Sequence, residues 1–63
     1  MSDLKDALTI ANDKAVFSLG NWWLDCKHLN KLQKQALVAK GWKIKRLMST
    51  WLIPPEDWEP IKN

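Results

Sequence analysis

The stretch GWKIKRLMSTW, from Gly41 to Trp51, decides the fold that the sequence predicts. With Lys40 just before it, the stretch carries four of the chain's positive charges and two of its five tryptophans. Its apolar residues recur at the three- and four-residue spacing of an amphipathic helix: Ile44, Leu47, Met48 and Trp51. The pattern predicts a helix from about Trp42 to Leu52.

Two functions are open to this predicted helix, and the first is packing against another chain. Trp, Met and Arg are the residue types enriched at protein interfaces. Further tryptophans before and after the stretch offer matching large surfaces. The candidate interface residues are Trp22, Trp23, Trp42, Met48, Trp51 and Trp58.

The second function is DNA binding. Residues 26–51 contain seven Lys and Arg side chains and no Asp or Glu, a balance that attracts nucleic acid or an acidic protein surface. A helix ending at Lys40, a turn at Gly41 and the basic helix would form a helix-turn-helix-like element at residues 29–52. The bulk of Trp42 fits such a turn poorly, so packing is the preferred interpretation. The candidate basic surface consists of Lys31, Lys34, Lys40, Lys43, Lys45 and Arg46.

The start of the chain also predicts a helix. Ser2 is a favourable N-cap residue, and Asp3 and Asp6 place negative charge where the helix dipole favours it. Apolar residues from Leu4 to Leu19 keep helical spacing, so the predicted helix extends to about Leu19.

A second helix is predicted to run as far as Lys40. Gly20-Asn21 either breaks the chain between the two helices or only bends one long helix, and the sequence leaves both open. At the far end, Gly41 can adopt the left-handed conformation that commonly terminates a helix.

The last ten residues predict a tail. Pro54 forces Ile53 out of the helical region, and a second proline follows. We therefore expect a helical domain at residues 1–53 and an extended tail at residues 54–63. Trp58 would anchor that tail on the domain or on a partner chain.

The sequence thus predicts an all-α fold of two or three helices, arranged as a hairpin or small bundle, with an extended tail that contains proline. No internal repeat is evident. The residues predicted to lie largely buried are Leu8, Ala15, Leu19, Trp22, Leu29, Leu32, Ala36, Leu47 and Trp51.

Sixty-three residues are few for a stable core, and small folds usually need a disulfide, a metal or a partner subunit. The chain has one cysteine and one histidine, so neither an internal disulfide nor a usual zinc set is available. We therefore predict a helical homodimer. A host protein and nucleic acid are the alternative partners.

No enzyme activity, cofactor or small-molecule substrate is expected. Cys26 and His28 are only two residues apart and point to different sides of a helix, and no phosphate-binding glycine loop is present. No apolar run is long enough to span a membrane, and the first residues lack a signal-peptide pattern. The free cysteine agrees with a reducing, cytoplasmic location.

The length, the opening MSDLKDALTIANDKA (residues 1–15) and the ending WLIPPEDWEP (residues 51–60) carry a resemblance over the whole chain. They resemble the small, basic, Trp-rich accessory proteins that lambdoid phages encode between their exonuclease and excisionase genes. The resemblance implies a helical, dimeric early phage protein in the host cytoplasm. Such a protein influences phage development or host physiology without catalysing a reaction.

Overall fold

A computed structural model describes residues 2–61 and shows, within them, two helices on one face of a four-stranded antiparallel sheet. This α+β fold contradicts the predicted all-α bundle. The chain forms two consecutive helix–hairpin units, joined by a 3₁₀ turn at Cys26–His28. The first unit comprises α1 (Asp3–Lys14), β1 (Val16–Ser18) and β2 (Asn21–Asp25). The second comprises α2 (Lys31–Ala39), β3 (Lys43–Arg46) and β4 (Thr50–Ile53).

Helix α1 begins at the N-cap that the sequence predicts. The backbone N–H of Lys5 donates to Ser2 Oγ at 3.3 Å, which confirms the cap. The helix ends at Lys14 and does not reach Leu19, because Ala15 adopts an extended conformation with φ −63° and ψ 141°. Strand β1 starts from there.

The first hairpin replaces the predicted break or bend between two helices. Leu19 and Gly20 form a two-residue turn in which both φ angles are positive, 54° and 80°. Two positive φ angles match the right-handed twist of the flanking strands and are the pattern of a tight hairpin turn. The paired residues are Val16 with Trp23, Phe17 with Trp22 and Ser18 with Asn21.

Helix α2 is shorter than predicted because the residues before it form β2 and the 3₁₀ turn. Its start is a capping box: the Gln33 N–H donates to Asn30 Oδ1 at 2.8 Å, and the Asn30 N–H donates to Gln33 Oε1 at 3.0 Å. Gly41 follows the end of the helix with φ +103°, so its predicted left-handed conformation is confirmed.

The second hairpin overturns the predicted third helix. Strands β3 and β4 pair Ile44 with Leu52 and Lys45 with Trp51, and residues 47–49 form the loop between them. The helix-turn-helix-like element at residues 29–52 is therefore not formed, because a strand occupies the place of its second helix. Side chains in this segment alternate between the two faces of the sheet and do not follow a helical stripe.

The strand order in the sheet is β1-β2-β4-β3, and every pairing is antiparallel. The second strands of the two units therefore meet at the centre, where Leu24 pairs with Leu52. A local two-fold axis beside that pair would generate this order. The two units thus repeat in structure although the sequence shows no repeat.

The core lies between the two helices and the central strands. Its buried members are Ala7, Ala11, Leu24, Leu37, Trp42 and Leu52. None of the nine residues predicted as core belongs to this set. Most of the nine lie in segments that form strands and turns, where helical spacing does not set which face a residue takes. Leu8, Leu32 and Ala36 do lie in the helices, but Ala7, Ala11 and Leu37 are the helix residues that face the core.

Sheet and helix interpretations of residues 43–53 predict opposite effects for two leucines. Replacing the fully buried Leu52 by Ala should lower the free energy of unfolding by about 3 kcal/mol, because it leaves a cavity in the core. Leu47→Ala should change the free energy of unfolding by less than ~0.5 kcal/mol when measured at low protein concentration on the monomer, because Leu47 lies in an exposed loop of the single chain. Urea unfolding followed by tryptophan fluorescence measures both. A larger loss at Leu47 than at Leu52 would contradict the hairpin.

Candidate binding surface on the uncovered sheet face

The two faces of the sheet differ in what lies against them. Leu24 and Leu52 point toward the helices and are fully buried. Their neighbours Trp23 and Trp51 therefore point to the opposite face. No helix of residues 2–61 packs on that face, which we call the uncovered face.

A cleft of about 380 Å³ opens on the uncovered face, and we call it the Trp cleft. Trp23 and Trp51 form its floor. Strand β1 with its turn borders one side, and the β3–β4 loop borders the other. The lining residues are Val16, Ser18, Leu19, Trp23, Leu47, Met48, Ser49 and Trp51.

The floor of the Trp cleft is a preformed aromatic pair. The rings of Trp23 and Trp51 lie edge to face, with centroids 6.3 Å apart and planes at 88°. The indole N–H of Trp23 donates to the Ser18 carbonyl oxygen at 2.8 Å. Because this polar group is already satisfied, the cleft offers apolar surface to whatever binds it.

The rim of the Trp cleft consists of exposed apolar side chains at the two hairpin ends. Leu19 is 87% exposed, Leu47 59% and Met48 fully exposed. Large apolar side chains grouped at one place on a small protein mark an interaction site more often than scattered ones do. Helical spacing predicts Leu19 and Leu47 as core residues. This prediction is wrong, because both side chains are exposed at the rim of the Trp cleft. Alternation in the strands beside them could have indicated the uncovered face.

The six predicted interface residues separate into two groups. Trp23, Met48 and Trp51 line the Trp cleft. The other three tryptophans are joined through Trp58, whose ring centroid lies 6.2 Å from that of Trp22 and 5.0 Å from that of Trp42. Trp42 is 3% exposed and is a core residue, which corrects its assignment to an interface.

The predicted basic surface is also divided. Lys31, Lys34 and Lys40 lie in α2 or at its end, whereas β3 carries Lys43, Lys45 and Arg46. All of β3 is exposed at one edge of the sheet. Within the described residues no carboxylate oxygen lies within 4.0 Å of any of these six cations.

Across residues 2–61, no three His, Cys, Asp or Glu side chains are grouped to hold a metal ion. None of the helices formed by these residues has the length and apolar character needed to cross a membrane.

No known family model matches the chain, and neither the curated proteins nor the solved structures contain a significant match.

Cys26 packs half-buried against the core, and burial raises the pKa of its thiol above the ordinary value. The nearby charge of Lys34 opposes this shift and that of Asp25 adds to it.

The raised pKa predicts the pH dependence of stability. A raised folded-state pKa contributes stability below the pKa of the unfolded thiol, and this contribution is lost as the pH rises through the folded pKa. The free energy of unfolding should therefore fall at alkaline pH more in the native chain than in Cys26→Ser. Parallel urea titrations of the two proteins test this, and identical pH profiles would contradict it.

Proposed function

We propose that this protein is a non-enzymatic interaction module that acts as a dimer, with the uncovered face of each copy covering that of the other. The proposal rests on the Trp cleft, whose floor and rim are apolar although nothing in the described chain covers them. It keeps the dimer that the sequence predicted and moves its interface from helices to the sheet. A role as an accessory protein in phage development or host physiology is part of the proposal on the sequence resemblance alone.

The chain exposes more surface than a monomeric protein of its mass usually does. The chain exposes 4814 Å² of accessible surface, about 600 Å² more than the roughly 4200 Å² expected for a monomeric protein of 7.3 kDa. An interface of standard size buries about 800 Å² on each partner. At the rim of the Trp cleft Leu19 is 87% exposed, Leu47 59% and Met48 fully exposed, so a dimer through this face would bury large apolar side chains.

A second copy also suits the shape of the surface. In a two-fold dimer the same patch meets itself, so one patch must supply both a recess and the groups that fill it. The Trp cleft and its protruding rim lie together on the uncovered face. This self-complementarity favours a second copy over an unrelated chain.

Leu47→Lys should weaken the dimer at least about tenfold, because association would place an ammonium group against apolar surface. Leu32→Lys is a matched control, since both leucines are 59% exposed and Leu32 lies on α2 away from the Trp cleft. Sedimentation equilibrium over the micromolar range measures the dissociation constant. At protein concentrations low enough for both variants to be monomeric, the two should unfold at the same urea concentration.

A wild-type protein that stays monomeric at high micromolar concentration would rule out the dimer. Equal weakening by both variants would rule out the Trp cleft as its interface. Added salt should strengthen the association slightly, because each copy carries a net charge of +3 and salt screens the repulsion.

Nucleic-acid binding is a second candidate function, favoured by one observation. Strand β3 presents the exposed residues Lys43, Lys45 and Arg46 along an edge of the sheet, without a carboxylate partner among the described residues. Lysine at an edge strand also prevents unwanted strand pairing, which makes this observation weaker than the Trp cleft. Binding would depend on phosphate neutralisation and therefore fall steeply with salt.

Replacing the three β3 cations by Ala should abolish binding to labelled duplex or single-stranded DNA in an anisotropy titration at low salt. Replacing Lys31, Lys34 and Lys40 by Ala removes the same charge from α2 and should leave most of the binding. Equal losses would indicate attraction to net charge alone. No binding by the wild-type protein would remove this candidate.

A further inference from the structure

Leu19 is placed against its own conformational preference. Within residues 2–61 it is the one non-glycine residue with a positive φ, 54°. The turn that it forms with Gly20 favours Asn or Gly at this position, because a Cβ is strained in the left-handed region and Asn tolerates it best among larger residues. The γ-branched apolar side chain of Leu19 does not help the backbone to adopt the left-handed region.

The side chain of Leu19 gains little within its own chain. It is 87% exposed, so the strain of the turn is not offset by burial in the core. Residues held in disfavoured backbone regions cluster at functional sites, where a different requirement has selected the side chain. Leu19 is both strained and exposed, and it stands at the rim of the Trp cleft.

We infer that the Leu19–Gly20 turn is the recognition element of the dimer: Leu19 of each copy enters the Trp cleft of the other. This inference rests on the proposed dimer and adds which element fills the cleft. The floor that would receive Leu19 is the edge-to-face pair of Trp23 and Trp51, an apolar surface without an unsatisfied indole N–H on Trp23.

The construction of the turn supports this role. A two-residue turn leaves Leu19 little freedom, and the bond from the Trp23 indole N–H to the Ser18 carbonyl ties the turn to the floor of the cleft. A turn whose backbone is held in place before binding loses less conformational entropy on association. Met48 is a fully exposed residue of the same rim, and its flexible side chain suits it to filling gaps around such an anchor.

Leu19→Asn separates recognition from folding. Asn relieves the strain of the turn and removes the apolar anchor, so the fold should become more stable while the dimer dissociation constant rises more than about tenfold. Leu19→Met retains an apolar side chain at the same strained position and should keep the dissociation constant within about threefold of the wild type. Sedimentation equilibrium measures the dissociation constants.

Stability is best compared where dimerisation does not contribute. Urea unfolding of Leu47→Lys and of the double variant Leu47→Lys with Leu19→Asn isolates the effect of the turn on the monomer. The double variant should be the more stable of the two.

The outcomes distinguish this inference from the proposed function. A monomeric wild-type protein overturns both. A wild-type dimer that Leu47→Lys disrupts, with Leu19→Asn dimerising as well as the wild type, overturns the role of the turn and leaves the dimer intact. A double variant less stable than Leu47→Lys shows that Leu19 serves the fold, and this too overturns the inference.

Discussion

The rest of the structure depends on the pairing of β2 with β4, where the fully buried Leu24 and Leu52 lie side by side. Each helix–hairpin unit contributes only two strands, and an isolated hairpin is marginally stable in water. Joining the two second strands turns two hairpins into one four-stranded sheet. It also brings both helices to the same face, where Leu37, Ala7 and Ala11 close over the two central leucines.

The same pairing determines what each tryptophan can do. Residues next to Leu24 and Leu52 must point away from the helices, so Trp23 and Trp51 meet on the uncovered face. Trp22 lies on the side of the helices, where Trp58 of the tail reaches it and contacts Trp42 as well. One group of rings fastens the tail to the fold and the other forms the floor of the Trp cleft. A composition rich in tryptophan therefore serves two different physical purposes.

A chain of 63 residues, with six buried core residues among residues 2–61, has little apolar burial to offset its conformational entropy. It has neither a disulfide nor, in its described part, a grouped set of metal-binding side chains. In the proposed dimer the uncovered face would supply the missing burial, which links the stability of the fold to its function. Leu19 would make the same link locally, since its turn is less than ideal for the monomer and its apolar side chain is 87% exposed.

The local signals of the sequence were sufficient for two of the four helix ends, the start of α1 and the end of α2. Ser2 capped α1 and Gly41 took the left-handed conformation after α2 as predicted, because caps depend on hydrogen bonds between residues three or four apart. The composition also predicted an interface of Trp and Met side chains. Three of the six candidate interface residues, Trp23, Met48 and Trp51, line the Trp cleft.

Only the tertiary structure decided that residues 43–53 form a hairpin. Ile44, Leu47, Met48 and Trp51 fit a helical stripe, yet Ile44, Leu47 and Met48 are exposed and Leu52 is the buried residue. A strand gains its hydrogen bonds and its buried contacts from partners distant in sequence, and here the partner of Leu52 is Leu24. Helical spacing is visible within a single segment, whereas that pairing exists only once the chain has folded.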